Sequence, residues 1–358
     1  MTPFLKYLLG RLIAIPITLL IITMVLYGII MLAPPEERAA LYLPPRLPSR
    51  LTASQIAFEL EQIAEEHGMN DPYLVQYGNW LREWLSGYWG WSPILRSDVR
   101  PVLLARTAVT LELTFYSLLV FIPLGLISGV VAGWRPFSAT DSLFRFAAFV
   151  GTSIPPFILG LFLLSIFYVG LRWFPPGRTS ITGLTFRTST FQAYTGFLTV
   201  DGVLNGRFDV TFNAFRHLVL PVFTLSLFHW ATLGRINRAL TIEEKDKDYV
   251  LLARSRGLRH RSIVWRHTFR NTISPALTST ALSAASIITG VYVIEVIFGL
   301  KGLSELIAQG IVGAPDAPLT LAFSVYSVLL VIPIMVALDI IKAIVDPRDR
   351  LATEEVDY

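Results

Sequence analysis

Residues 113–134 read LTFYSLLVFIPLGLISGVVAGW, a run of 22 residues without a charged side chain. A bilayer core about 30 Å thick is crossed by roughly 20 apolar residues in an α-helix, so this stretch predicts a transmembrane span. Five further apolar stretches of similar character cover residues 12–33, 146–171, 218–234, 271–294 and 317–338. The sequence therefore predicts an all-α, polytopic membrane protein with six transmembrane helices.

The composition agrees with a membrane protein. The 358 residues are 53% hydrophobic and only 16% charged, and the mean hydropathy is +0.56. Soluble domains carry about 25% charged residues, because their surfaces must be solvated. The chain has no cysteine, which excludes thiolate nucleophiles, iron–sulfur clusters and cysteine–zinc sites.

The distribution of Lys and Arg predicts the orientation of the spans. The first span follows Lys6 and Arg11 like a signal peptide, but its length and the lack of a small-residue cleavage site favour an uncleaved helix. With both termini in the cytoplasm, 17 of the 30 basic residues lie inside. Seven of the 13 outside lie in the long first loop, where the positive-inside rule loses force.

The pattern predicts four regions along the chain. Residues 1–33 form the cytoplasmic N-terminal end and the first span, and residues 34–106 form an extracytoplasmic loop with short helices. Residues 107–345 form the core with spans two to six, and residues 346–358 form a cytoplasmic tail. The outer loop of residues 172–216 shows no clear period, and the sequence assigns it no task.

Four tryptophans lie close together in the first outer loop: Trp80, Trp84, Trp89 and Trp91. They are typical of an aromatic belt at the outer membrane interface. A docking surface for an extracytoplasmic partner is the alternative interpretation.

Residues 235–270, called the basic segment below, contain ten Lys/Arg and four acidic residues, a net charge of +6. Such charge is typical of topology determinants, of segments that bind anionic lipid headgroups, and of solvated helix faces. The segment also has an internal pattern: a helical run begins at Asp248, Gly257 interrupts it, and a second run contains Ile263, Val264 and Phe269. Gly favours such a break because it adopts positive φ without a clash. This helix–glycine–helix pattern predicts a rigid projection suited to a partner's groove. Nucleic-acid binding is disfavoured, because the aromatic residues are poorly placed for base stacking.

At this segment the chain resembles the permease subunits of ABC importers, most closely the B-type permeases of dipeptide, oligopeptide and nickel importers. The matching motifs in and beside the basic segment are Asp248-Tyr249-Val250, Ala253-Arg254, Arg256-Gly257-Leu258, Arg266-His267, Arg270-Asn271 and Pro275. Motifs elsewhere extend the resemblance over nearly the whole chain: Ser153-Ile154-Pro155-Pro156-Phe157, the stretch from His217 to Pro221, Glu295 with Phe298, Gly302-Leu303, and Asp346-Pro347-Arg348.

The resemblance implies the type I ABC-importer permease fold in a bacterial or archaeal cytoplasmic (inner) membrane, surrounded by lipid. It also implies a homologous second permease, two cytoplasmic ATP-binding subunits and an extracytoplasmic solute-binding protein as partners. In such an assembly the basic segment couples the permease to the ATPases. The residues to which the resemblance assigns this role are Asp248, Tyr249, Ala253, Arg254, Arg256, Gly257, Leu258, Arg266, His267, Arg270 and Asn271.

The basic segment departs from the general importer pattern at two places. The usual Glu-Ala-Ala triplet is Leu251-Leu252-Ala253 here, and the usual Ile-x-Leu-Pro is His267-Thr268-Phe269-Arg270. The second departure is itself typical of the peptide and nickel subgroup, so it narrows the assignment.

No catalytic or metal-binding motif is evident. The chain lacks G-x-x-x-x-G-K-[ST], H-E-x-x-H and G-x-S-x-G. We therefore expect a chain that is not an enzyme, with no cofactor or metal of its own, and with ATP and Mg²⁺ bound by partner subunits.

The fifth span is the candidate lining of the translocation pathway. Residues 272–290 hold eight Ser/Thr and five Ala/Gly, a composition that also suits close helix packing. The candidate pathway residues are Ser279, Ser283, Ser286 and Thr289. Three acidic residues near span ends, Glu112, Glu295 and Asp339, are expected to snorkel towards the membrane surface, and His229 is expected to be an interior histidine.

Three other functions are alternatives. A stand-alone secondary transporter would need ion-site carboxylates at the membrane midplane and no structured partner loop, and the sequence shows the reverse. A membrane enzyme would need clustered catalytic side chains, and none is evident in the sequence. A purely scaffolding subunit would need neither. For the substrate, peptides are the first expectation, with nickel complexes and other solutes behind.

Overall fold

A computed structural model gives the fold of the chain, and it describes residues 3–40, 42–43, 52–181, 191–282, 284–311, 316 and 318–331. The chain divides into two compact units. The larger comprises Met1–Tyr7, Ala108–Gly302 and Val331–Tyr358, and the smaller comprises Leu8–Thr107 and Leu303–Leu330. Nearly all regular structure in the described residues is helical, which agrees with the predicted all-α class.

A series of helices builds the larger unit. In chain order they are α5 (Val99–Trp134), α6 (Ala139–Ser153), α7 (Pro156–Leu163) with a π-helical turn (Leu164–Gly170), α8 (Leu198–Leu204), α9 (Phe208–Glu244), α10 (Asp248–Ser255), α11 (His260–Ser262) with a second π-helical turn (Ile263–Thr268), α12 (Phe269–Leu282) and α13 (Ala284–Phe298). The first nine residues of α5 belong to the smaller unit.

Two glycines of α5 let it approach α9 closely. A Cβ at Gly129 would lie 2.6 Å from the carbonyl oxygen of Gly234, and one at Gly133 would lie 2.6 Å from that of Arg238. Small residues four apart permit such backbone approach in membrane helices, where packing replaces the hydrophobic effect. The Asn237 amide of α9 donates to the carbonyl of Leu126 on α5 at 2.6 Å. Helices α5 and α9 therefore form one tightly packed pair.

An extensive apolar cluster drawn from α5, α7, α9, α12 and α13 forms much of the core of the larger unit. Its fully buried large side chains include Phe121, Leu225, Leu277, Ile294 and Phe298. His229 lies in this interior, with its ring 5.2 Å from that of Phe121 and 8% of its surface exposed, so the prediction of an interior histidine is confirmed.

The predicted third span is not one straight helix. Helix α6 ends at Ser153, and the segment from Pro156 to Gly170 leaves it at an angle of 96°. Ile154, the residue after α6, has an extended ψ of 118°. Residues before proline are biased away from the helical region, and prolines remove backbone donors, so Pro155 and Pro156 account for the break.

The outer loop of residues 172–216 contains more order than its sequence predicts. It includes α8 and the start of α9, and the buried Glu112 carboxylate of α5 holds it. Glu112 accepts from the backbone N–H and hydroxyl of Thr199, at 2.9 and 2.7 Å, and from the Arg178 guanidinium at 3.1 Å. Asp201 adds hydrogen bonds from Thr195 and Gly196.

The expectation that Glu112 and Glu295 snorkel is wrong. Glu112 is 2% exposed and Glu295 is 0% exposed, and Glu295 accepts from the Thr110 hydroxyl at 2.5 Å. Buried carboxylates are retained when hydrogen bonds and charges replace water, and these donors come from residues distant in sequence.

The smaller unit contains α1 (Pro3–Ile30) from Leu8 onward and the short helices of the first outer loop. These are α2 (Pro35–Ala40), α3 (Ala53–Glu66) and α4 (Tyr73–Ser86), followed by a two-stranded antiparallel hairpin of β1 (Trp91–Ser92) and β2 (Ser97–Asp98). Two C-terminal helices complete it, α14 (Leu303–Ile311) and α15 (Pro318–Val331).

Two side-chain interactions fasten the hairpin to α15. The Ser92 hydroxyl donates to the Asp316 carboxylate at 2.5 Å, and Asp316 also caps the following helix through the Leu319 N–H at 3.0 Å. Trp89 packs against Tyr326 with ring centroids 5.5 Å apart.

Among the described residues, two helices, α5 and α9, are long and apolar enough to cross a membrane, and the bent pair from Ala139 to Gly170 makes a third if counted as one span. Shorter apolar helices cover Leu19–Ile30, Ser286–Phe298 and Pro318–Val331. The six-span count stays a prediction, because the end of the predicted sixth span after residue 331, with Asp339, the Asp346-Pro347-Arg348 motif and the tail, lies outside the described residues.

Candidate functional site

The basic segment begins as a continuation of helix α9 and not as a loop. Helix α9 runs unbroken from Phe208 to Glu244, so the first ten residues of the basic segment, 235–244, are helical. Thr241 and Asn237 are fully buried on this extension, because it packs against the glycine face of α5. The segment that leaves the packed helices therefore starts at residue 245.

The predicted helix–glycine–helix pattern is confirmed. Helix α10 begins at Asp248 and ends at Ser255, and Gly257 follows with a φ of +70°. The N–H of Leu258 donates to the Ala253 carbonyl at 3.2 Å, and that of Gly257 donates to the Arg254 carbonyl at 2.9 Å. These two bonds form a Schellman motif, in which the left-handed residue is usually Gly.

The inner face of the turn is apolar. Val250, Ala253 and Ile263 form a small buried cluster on which Trp134 and Tyr249 pack. Val250 is 0% exposed and Ile263 is 2% exposed. Helix α10 therefore packs against the helical segment that follows Gly257.

Trp134, the last residue of α5, braces the turn from the side. Its indole N–H donates to Nε2 of His260 at 2.5 Å. The Arg254 guanidinium lies over the same indole, 5.7 Å from the ring centroid, which is within the range of a cation–π contact. One tryptophan thus contacts both sides of the break at Gly257.

A buried ion pair fixes the base of the segment. Asp141 at the start of α6 is 0% exposed. Its carboxylate accepts hydrogen bonds from Nε and Nη2 of Arg238, at 2.5 and 2.9 Å. The backbone N–H of Phe137 donates to the same carboxylate at 2.9 Å. These hydrogen bonds, with that from Arg238 the strongest, hold the pKa of Asp141 below its usual range.

A second polar group joins the start of α10 to the end of α9. The Tyr249 hydroxyl donates to Glu244 at 2.7 Å, and Lys247 pairs with the same carboxylate. Burial and the bond to Glu244 raise the pKa of Tyr249 to about 12, so the hydroxyl remains a donor at physiological pH. The Asn271 side chain also reaches Glu244 and Tyr249.

The outer face of the turn is exposed and partly apolar. Leu251 is 53% exposed, Leu252 is 51% and Leu258 is 42%. Asp248, Arg254, Arg256 and Gly257 are exposed beside them. Large apolar side chains grouped on a charged, rigid turn are typical of a protein contact.

The structure divides the predicted coupling residues by environment. Ala253 is buried, Tyr249, His267 and Asn271 are half-buried, and the remaining seven are exposed. Sequence reasoning missed the partners that hold the turn, Trp134, Asp141 and Arg238, because they are distant in sequence. It treated Leu251 and Leu252 only as departures from a pattern, although adjacent leucines opposite the buried Val250 and Ala253 already indicate an exposed apolar face.

The candidate pathway residues are placed only in part. Ser286 and Thr289 are exposed on α13, and Val293 and Val296 are exposed further along the same helix. The opposite face is buried and consists of Ile287, Ile288 and Val291. Ser279 lies within α12, and its side chain is outside the described residues, as is Ser283. The exposed face of α13 is thus polar at one end and apolar at the other.

Long apolar helices that pack closely through glycines, as α5 and α9 do, are typical of a membrane protein. The chain belongs to the family of binding-protein-dependent transport system inner membrane components, which residues 122–350 match. It is therefore a multi-pass membrane protein and the permease component of an ABC importer.

Several curated relatives are similar over most of their length. The oligopeptide transport system permease protein AppB of Bacillus subtilis is 32% identical over 325 residues, 90% of this chain and 93% of that protein. The probable D,D-dipeptide transport system permease protein DdpB of Escherichia coli is 31% identical over 313 residues, 86% and 89% of the two chains. The dipeptide transport system permease protein DppB of Alkalihalophilus pseudofirmus is 28% identical over 290 residues, 81% and 85%.

Proposed function

We propose that this chain forms half of the translocation pathway of a peptide importer and transmits the ATPase cycle through the turn of residues 248–258. The observation that carries the proposal is the braced turn with its exposed leucines at Leu251, Leu252 and Leu258. A coupling element must be rigid enough to transmit force and must present a surface that a partner can grip. This turn has both properties.

The bracing explains how a movement would reach the membrane. Trp134 ties the turn to the end of α5, and Arg238 ties α9 to α6 through Asp141. A partner that displaces the turn would therefore transmit force to three helices together, α5, α6 and α9. Coupling requires that the partner contact the two states differently, which a rigid turn allows because its displacement changes the helix packing.

The partners follow from the family. We infer a homologous second permease that completes the pathway, two ATP-binding subunits below the turn, and an extracytoplasmic solute-binding protein. ATP and Mg²⁺ would be held by the ATP-binding subunits, with no cofactor on this chain. The charge distribution supports six spans with both termini in the cytoplasm of a bacterial or archaeal cell.

Helix α13 is the proposed pathway lining. The exposed hydroxyls of Ser286 and Thr289 support this role, together with Ser279 and Ser283 from the sequence. Because the chain lacks cysteine, single cysteines at these positions can be probed with polar thiol reagents without background. Pathway residues should react in one transport state and be protected in another, whereas equal protection in every state would indicate helix packing.

Peptides are the proposed substrate class, because the relatives named above are oligopeptide and dipeptide permeases. Nickel complexes or another solute are the alternative for the same mechanism. The experiment is uptake into proteoliposomes that hold this chain with its second permease and ATP-binding subunits, the binding protein being added to the medium. ATP-dependent peptide uptake that needs every subunit is the expected result, and uptake by this chain alone would indicate a secondary transporter instead.

A further inference from the structure

The smaller unit contains a cavity of ≈ 880 Å³ that has no part in the turn of residues 248–258. The end of α1, helix α2, the turn between α3 and α4, helix α4, residues 88–91 and the start of α15 line it. Sites for small molecules enclose about 300–1,000 Å³. The cavity therefore has room for a ligand of the size of a short peptide.

Aromatic rings form much of the cavity wall: Tyr27, Tyr42, Trp80, Tyr88, Trp89 and Trp91. Contacts between rings fix several of them, since Tyr27 and Trp80 lie 5.7 Å apart and Trp89 stacks on Trp84 at 5.5 Å. Such faces accept apolar side chains and cationic groups alike. The wall is preformed and favours a ligand with an apolar body.

Arg38 is the most enclosed charge in the cavity. Its guanidinium donates to the Met69 carbonyl at 3.0 Å, to Oε1 of Gln76 at 3.3 Å and to Sδ of Met31 at 2.9 Å. All three acceptors are neutral, its Nε has no partner, and no carboxylate of the described residues pairs with it. Gln76 is itself buried and fixed by the Met69 carbonyl at 2.9 Å. A held guanidinium without a counter-charge is suited to a carboxylate ligand.

Four carboxylates share the cavity lining with Arg38, and all four are exposed: Glu65, Glu66, Asp71 and Glu83. None of them forms an ion pair with another described residue. The arginines in the lining are the half-buried Arg38 and the exposed Arg82, so carboxylates outnumber arginines in the cavity lining. This arrangement favours a molecule with one carboxylate and one ammonium, and it disfavours a phosphate headgroup, which the surplus of carboxylates would repel.

We propose that this cavity binds a short zwitterionic peptide, with its carboxylate on Arg38, its side chains against the aromatic wall and its ammonium near the exposed carboxylates. The choice of a peptide among zwitterions rests on the proposed function. Most of the lining lies in the region assigned to the extracytoplasmic loop, and the rest, Tyr27, Ile30, Pro318 and Leu321, lies in the predicted first and sixth spans.

The test is a binding titration of the full-length chain in nanodiscs, followed by its intrinsic tryptophan fluorescence. Trialanine has no fluorescence of its own and should produce a saturable change. Its C-terminal amide should bind about tenfold or more weakly, because it loses a charge-assisted bond to Arg38. In Arg38→Gln the free acid and the amide should bind equally weakly. Arg82→Gln, a charge removed from the same lining, should keep the preference for the free acid.

Arg38 also supports Met69 and Gln76, so a second variant separates binding from folding. Arg38→Lys keeps the positive charge and should retain part of the preference for the free acid, with a circular dichroism spectrum unchanged from wild type. The proposal is overturned if trialanine gives no saturable change at millimolar concentration, if Arg82→Gln and not Arg38→Gln removes the preference, or if phosphocholine binds more tightly than trialanine.

Import by the assembled transporter separates this proposal from the proposed function. If the complex imports peptides while this chain alone binds none, the cavity site is wrong and the peptide importer stands. If the chain binds trialanine with the expected preference while the complex imports no peptide, the site stands and the proposed substrate class is wrong.

Discussion

Substitutions at Gly257 test whether the turn needs glycine for its left-handed backbone conformation or for its small size. The residue has a φ of +70°, and a Cβ there would find no atom of the described residues within 4 Å. In the isolated chain a substitution therefore meets no steric obstacle. Its cost is conformational, because residues with a Cβ are strained in the left-handed region.

The magnitude follows from that strain. An L-residue in the left-handed conformation costs about 1–2 kcal/mol, and Asn pays less because its side chain bonds locally. A β-branched residue pays most, since its rotamers are restricted as well. The loss shifts the equilibrium between the ordered Schellman turn and its alternatives by about 5- to 30-fold.

The measurement is the ratio of peptide uptake to ATP hydrolysis in proteoliposomes with the complete transporter, for Gly257→Asn, Gly257→Ala and Gly257→Val. If conformation decides, the ratio should fall in the order Gly, Asn, Ala, Val, although Asn is larger than Ala. An order that follows side-chain size would refute this reasoning and indicate a tight partner surface at the tip. Wild-type coupling in all three variants would refute a coupling role for the turn.

Three further predictions concern the residues that hold the turn and the helices beneath it. Trp134→Phe removes the N–H that bonds His260 but keeps a ring, so the turn should lose about 0.5–1.5 kcal/mol and its amides should exchange faster by mass spectrometry. In Gly133→Leu the new side chain overlaps the backbone of α9. The variant should have a lower thermal unfolding temperature, because overpacking typically reduces the free energy of unfolding by about 1–3 kcal/mol. The bond from Arg238 lowers the pKa of Asp141, so the ion pair stabilises above the unfolded-state pKa of about 3.9. The stability gap between wild type and Asp141→Asn should be constant from neutral pH down to the unfolded-state pKa of about 3.9. Below that pH it should shrink progressively, and it should be lost once pH has fallen through the lower folded-state pKa.

Matched variants control these experiments. Gly78 lies in helix α4 with open space around a Cβ, so Gly78→Ala should be neutral or slightly stabilising while Gly133→Leu is not. Trp134→Leu removes the cation–π contact to Arg254 as well, and should accelerate exchange more than Trp134→Phe does. Equal effects of the two tryptophan variants would contradict a specific role for the His260 bond.

Much of the architecture is local and could be predicted. Apolar runs gave the membrane class, and the positive φ at Gly257 follows from the glycine between two helical patterns. Gly68 follows the end of α3 with a φ of +58°, a conformation that glycine favours after a helix. These features depend on neighbouring residues, whose preferences the sequence displays directly.

The missed features depend on contacts between distant residues. Nothing near Glu112 in sequence indicates that Arg178 and Thr199 surround it, so snorkelling was the natural expectation. The same holds for Asp141, whose partner Arg238 is 97 residues away, and for Trp134, whose partner His260 is 126 residues away. The extension of α9 to Glu244 depends on its packing against the glycines of α5, which a single helical pattern does not reveal.

Disulfide or maleimide cross-linking of single cysteines to the ATP-binding subunit tests the proposed coupling most directly. The cysteine-free chain supplies the background, and helix α10 supplies its own control, because Leu252 is exposed and Ala253 is 6% exposed. Leu252→Cys and Leu258→Cys should cross-link to the ATP-binding subunit in the assembled transporter, with a yield that changes when ATP is added, and Ala253→Cys should not. Absence of cross-links from both exposed positions, in a complex that still imports its substrate with ATP, would contradict the role of this turn.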